Sequence, residues 1–191
     1  MAVLLKFQNV SLFKQEAYGL SEISFKLERN RRYSIRTRSE EQSKTLTGLI
    51  EDRFRKDHGY IERAKNLFIQ SDRGLLGDRV FAQTAGEWLS VQNEFFQFGG
   101  RKRSKFGFIQ SLNARHLIDF PIYKLDQTRR TTFALLSLAF QERGIILIDR
   151  LLDLELNTEQ QELLKRIVRD THTTCCLVSS HPVQEIGRAH V

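Results

Sequence analysis

Apolar positions fall along the chain in two rhythms that separate strands from helices. Val3, Leu5, Phe7 and Val10 are set among polar residues between positions 3 and 13, and Ile23, Phe25 and Leu27 alternate with Ser24 and Lys26. A period of two places one face of a strand on a core, which predicts two strands joined through Gly19, then a short third strand at 33–35 and another at 68–70. A period near 3.6 appears in Leu46, Leu49 and Ile50, and again in Phe133, Leu136 and Phe140, widened by Leu135, Leu138 and Ala139. It returns in Leu163, Leu164, Ile167 and Val168, on a helix opened by Asn157. Two stretches are apolar at nearly every position, 145–148 and 173–178. Such runs are expected of strands buried on both faces of a parallel sheet. Strands alternating with helices over 191 residues predict one α/β domain.

Asp149 closes the first of these runs. A carboxylate there lies on the edge where open α/β sheets bind ligands, so it reads either as a metal-facing group or as a helix cap after a core strand. Ser39 and Asp126 stand where helices begin and read as N-caps, with Glu40 and Glu41 favourable to the helix dipole.

Composition changes this picture in three ways. A net charge of +7 makes an acidic partner worth weighing, and it gathers in two clusters. These are Arg29, Arg31, Arg32, Arg36 and Arg38, then Arg101, Lys102, Arg103 and Lys105, which read as solvated faces or as binding surfaces. No apolar run is long enough to span a membrane, and the N-terminus is too short and polar for a signal peptide, so a cytoplasmic chain is expected. Cys175 and Cys176, adjacent within a core strand, are expected to be buried and reduced.

Taken together and in order, positions 10–25, 33–50, 68–70, 125–149 and 178–181 resemble the ATP-binding subunit of ABC transporters. The resemblance implies a P-loop NTPase-type sheet, mostly parallel, with an antiparallel N-terminal β-subdomain. It also implies a helical insertion at about 85–125 within a single domain at 1–186, leaving 187–191 as an appended tail. ATP and Mg would be its cofactors. Phe13 falls where an aromatic stacks on adenine, Ser43, Lys44 and Thr45 at the phosphate loop, and Gln70 in the loop that touches metal and membrane partner. Asp149 would face the metal together with Gln70, and His181 stands at the switch histidine. Leu125, Asp126, Gln127, Thr128 and Arg129 occupy the LSGGQ signature position.

The chain departs from that pattern where the chemistry is carried. The phosphate loop GxxGxGK(S/T) needs glycine so that successive N–H groups close around phosphates. Positions 37–45 read TRSEEQSKT, without glycine. Glu40 and Glu41 add repulsion: a carboxylate about 4 Å from a phosphate charge costs on the order of 4 kcal/mol at an effective dielectric near 20. That is a large part of the roughly 8 kcal/mol of a micromolar affinity. Asp126 replaces the signature serine, and the general base position is Arg150, which cannot accept a proton.

The expectation is an ABC-type subunit that does not hydrolyse ATP and serves a membrane transport complex in a structural or regulatory role. It would pair with itself or with an intact sister subunit and dock on a permease through the insertion, where Trp88, Phe95, Phe96 and Phe98 lie near Arg101 and Arg103. Two alternatives stand beside it: a basic module on the same fold contacting nucleic acid or anionic lipid, and a weakly active ATPase with a divergent site.

Overall fold

A computed structural model describes residues 2–13, 19–76, 84–90, 95–98 (backbone only) and 101–181. Its centre is a four-stranded sheet, β3 (Arg32–Arg36), β9 (Thr174–Ser179), β8 (Ile145–Ile148) and β5 (Ile69–Ser71), in that order and parallel throughout. Every residue of β8 is fully buried. Its side chains alternate between two cores, as the pleat requires. Ile146 and Ile148, with Cys175 and Leu177 of β9, join a core built with Phe133, Leu136, Leu163 and Ile167. Ile145 and Leu147, with Cys176 and Val178, join a second core with Leu46, Leu49, Phe7 and Leu27. The adjacent cysteines thus serve opposite faces as small apolar groups. Both are free and buried, and burial pushes the Cys175 thiol up to about 12.

Over the second core lies an antiparallel sheet, β1 (Val3–Leu12) flanked by β2 (Leu20–Glu28) and β4 (His58–Arg63). The predicted strand at 33–35 is present, but it belongs to the parallel sheet as β3. The third antiparallel strand is β4, with no sequence expectation behind it. Only Ile61 and Arg63 are even partly covered along its six residues, so this edge strand carries almost no period-two signal.

Helix α1 (Glu40–Ile50) follows β3, and α2 (Asp72–Leu76) follows β5. The insertion then comprises α3 (Ala85–Ser90), a hairpin of β6 (Phe95–Phe98) and β7 (Arg101–Ser104), and α4 (Lys105–Ser111), with two 3-10 turns at Arg115–Leu117 and Ile122–Lys124. A two-stranded ribbon therefore sits inside a segment expected to be helical. Helix α5 (Gln127–Ala139) is capped by Asp126, which accepts from the Arg129 N–H at 2.8 Å. Helix α6 (Thr158–Asp170) is opened by a reciprocal capping box of Asn157 and Gln160. Arg32, counted in the first basic cluster, closes the other end of α6: its guanidinium donates to the carbonyls of Val168, Arg169 and Thr171 at 2.6, 2.8 and 2.5 Å. Lys105 of the second cluster is buried too, donating through Nζ to the Leu89 carbonyl at 3.0 Å.

Entry into β8 depends on Gly144, at φ +81. A Cβ there would collide with the backbone of Phe68, whose carbonyl takes the Ile145 N–H at 2.9 Å.

A candidate site at the carboxyl edge of the sheet

The connection from β3 to α1 is three residues, 37–39, and several of its polar groups are held by local hydrogen bonds. The Thr37 N–H donates to the Ser179 carbonyl at 3.0 Å, and the Thr37 hydroxyl shares a 2.6 Å hydrogen bond with that of Ser43. Ser39 Oγ accepts from the Gln42 N–H at 3.2 Å, and Gln42 Oε1 accepts from the Arg38 N–H at 3.1 Å. The first turn is thus capped from both sides. Lys44 pairs with Glu40 at 2.6 Å, both partly exposed. This hydrogen bond, more than the nearby charges of Arg73 and Arg150, holds the Glu40 carboxyl below its usual range. Ser43 and Thr45 are buried.

Asp149 ends β8 with 2% of its surface exposed. Its Oδ2 accepts from Arg73 of α2 twice, from Nε at 2.8 Å and Nη2 at 2.5 Å. Thr47 Oγ1 lies 3.4 Å from the same oxygen. That hydroxyl is better placed toward the Ser43 carbonyl at 2.9 Å, so the Arg73 contacts dominate. Burial raises the Asp149 pKa, and Arg73 opposes the rise.

Beside this pair lies a second carboxylate, Asp72, with no exposed surface. It accepts from the N–H groups of Asp149 at 3.0 Å and Leu151 at 2.7 Å, tying α2 to the end of β8. Burial pushes its pKa up to about 7, against these hydrogen bonds. Gln70 is buried. Ser71 bonds the Glu51 carboxylate and accepts from the Gly74 N–H at 3.1 Å. Asp72 and Arg73 were not singled out from sequence. Their only signal was position, two and three residues after the short strand expected at 68–70.

Apart from Arg150, the remaining candidates are placed away from this network. Phe13 is 63% exposed and meets the ring of His58 edge-on at 5.7 Å. His181 is exposed, its N–H donating to Ser179 Oγ at 3.1 Å. Leu125 is buried, Asp126 caps α5, and Gln127 and Thr128 face solvent. Arg129 pairs with Asp126 at 3.5 Å and lies 5.3 Å from the Phe120 ring. Arg150 opens a 3-10 turn, Arg150–Asp153, with its side chain half-buried.

In the insertion, Trp88 turns inward, meeting Phe133 edge-on at 6.4 Å. Arg101 is exposed, and Arg103 lies 6.0 Å from the ring of buried Phe108. The side chains of Phe95, Phe96 and Phe98 lie outside the described residues. The aromatic surface that is described consists of Phe106, Tyr123 and Phe120, each with a cation near its ring: Arg115, Lys124 and Arg129. Among the described residues no group of three His, Cys, Asp or Glu could hold a metal ion, and no helix is long and apolar enough to cross a membrane.

No family model matches the chain, and no curated protein matches it significantly. Solved structures do. A metal-chelate type ABC transporter in an inward-facing conformation is 16% identical, with a TM-score of 0.66 over 95% of this chain and 75% of the other. The cbiO1 protein of Clostridium perfringens, part of the ABC transporter complex cbiONQ, is 13% identical, with a TM-score of 0.62 over 95% and 80%. The archaeal ribosome recycling factor aABCE1, solved with the ribosomal stalk protein aP1, is 15% identical, with a TM-score of 0.71 over 93% of this chain and 34% of the other. The chain therefore has the fold of the ABC-type ATP-binding proteins, a P-loop NTPase-type α/β fold with a parallel and an antiparallel sheet.

Proposed function

We propose that this chain is an ABC-type ATP-binding subunit that no longer hydrolyses ATP and acts as a structural or regulatory member of a membrane transport complex. The observation that carries this reading is the Arg73 guanidinium on Oδ2 of Asp149. Asp149 is the carboxylate that the resemblance assigns to a magnesium ion, and here it is matched by a cation of the chain itself. The residues present do not fit ATP with magnesium. The three-residue connection has no glycine to let the backbone close around phosphates, its Arg38 N–H and the Gln42 N–H are already taken by caps, and Glu40 with Glu41 adds like charge. Arg150 stands at the general base position and cannot take a proton.

In this reading the protein lies in the cytoplasm, peripheral to the membrane, pairing with itself or with an intact sister subunit and meeting a permease through the insertion. Phe106, Phe120 and Tyr123, exposed and each with one cation near its ring, support that docking face. The transport setting draws on the ABC transporter matches. The same fold in a ribosome recycling factor means that fold alone does not supply it.

Phosphate release with ATP and magnesium, at protein concentrations high enough to dimerise, tests the loss of chemistry. No turnover above background is expected, and Arg150→Glu alone should restore none, because a base acts only on water and phosphate already held in place. Turnover that disappears on Asp149→Asn would overturn the reading.

A further inference from the structure

Behind the last turn of α1 the protein holds a cavity of about 630 Å³, within the size range of small-molecule sites. Four arginines line it, Arg53, Arg63, Arg73 and Arg150, contributed by four separate parts of the chain, with Glu51 and Asp52 as the carboxylates in its wall. Three of the guanidinium groups are matched. Arg53 Nε donates to Glu51 at 2.6 Å, Arg63 Nη2 donates to the Leu49 carbonyl at 2.6 Å and lies 3.3 Å from the largely exposed Asp52, and Arg73 holds Asp149. The fourth is not: Arg150 makes no hydrogen bond or ion pair among the described residues, although Glu40 feels its charge. Arg63 adds a second unmet demand, since its Nε is buried without a hydrogen-bond partner.

A guanidinium cannot relieve an unfavourable site by losing its proton, so an unmatched one at a cavity wall calls for an anion. A buried donor left unpaired points the same way. Ile50, Leu67 and Ile69 add apolar surface to the wall. A flat carboxylate offers two oxygens in one plane. Guanidinium groups reaching the wall from separate parts of the chain, Arg150 and Arg63 among them, are better answered by a tetrahedral oxyanion whose oxygens point several ways.

We propose that this cavity binds a small phosphate-bearing molecule, with the phosphate or pyrophosphate group held by Arg150 and Arg63 and with Arg53 at the rim. The site lies past the end of α1, where the residues following Ile50 line it, whereas the phosphate-loop position lies at the helix's beginning. It stands or falls separately from the loss of hydrolysis.

The test is the melting temperature of the whole chain in rising pyrophosphate, against sodium chloride at matched ionic strength. Binding to the folded state raises Tm with a saturable midpoint. Arg150→Gln should raise that midpoint at least tenfold and Arg53→Gln about threefold, while Lys44→Gln, at the loop position, leaves it within twofold. ADP run in parallel separates the sources: an equal midpoint identifies the phosphate group as the unit recognised, and a tenfold lower one identifies a nucleotide. An equal rise in chloride overturns the proposal. So does a rise that survives both Arg150→Gln and Arg53→Gln, or one lost in Lys44→Gln. Arg53 is exposed and lies in the loop after α1, so its variant keeps the test open if Arg150→Gln does not fold.

Discussion

The middle of the parallel sheet and its carboxyl edge lie within a few residues of each other on β8 and are held by opposite kinds of interaction. Residues 145–148 are apolar, fully buried on both faces and packed against two cores. One residue later, Asp149 is almost as deeply buried, but inside a polar network with Arg73, Asp72 and the backbone of Leu151. Burial without direction tolerates many partners of suitable size. A buried charge tolerates only a partner of the right sign in the right place. Thus the centre is robust and anonymous, while the edge is specific and vulnerable.

The largest break in that comparison should come at the edge. Arg73→Ala strips Asp149 of its counter-charge and should cost about 3–5 kcal/mol in urea unfolding at neutral pH. Adding Asp149→Asn should recover part of that loss, a coupling that two independent contacts would not show. At the centre, Leu147→Ala removes a fully buried side chain and should cost about 2–5 kcal/mol, with no coupling to Arg73 variants beyond about 0.5 kcal/mol. Equal coupling at both places would erase the distinction.

The finest test is pH. Asp72 holds its proton in the folded state up to about pH 7, well above its unfolded value near 4. The folded state therefore binds more protons across that window, so the stability Asp72 contributes is full below about pH 4 and is lost as pH rises toward 7. Unfolding free energies from urea titrations between pH 5 and 7 should fall, by about 1 kcal/mol per pH unit from this group alone, and Asp72→Asn should flatten the slope. An unchanged slope in that variant would mean that the hydrogen bonds to the Asp72 carboxylate outweigh its burial.

How much was legible from the residues follows the same divide. The apolar run 145–148, the caps Ser39, Asp126 and Asn157, and the alternation at 23–27 are local signals, and the strands and helices they predict are present. β4 was not legible, because an edge strand with so little covered surface leaves no pattern in its own sequence. The pairing of β6 with β7 was not legible for a different reason: the aromatics there read as packing for a helical insertion. Arg32 and Lys105 looked like surface charges, and only their positions against the end of α6 and the Leu89 carbonyl show otherwise.

By itself the sequence determined that this is an α/β chain built on a buried parallel sheet, and that glycine is missing from positions 37–45 and a carboxylate from position 150. Those are properties of periodicity and side-chain chemistry, and they need no partner. The tertiary structure decided which charges meet. The Arg73–Asp149 pair spans 76 positions and the Asp72–Leu151 hydrogen bond 79. The four arginines of the cavity come from separate parts of the chain. Electrostatic energy depends on distance in space and on the dielectric around each group, and neither is written in the order of the residues.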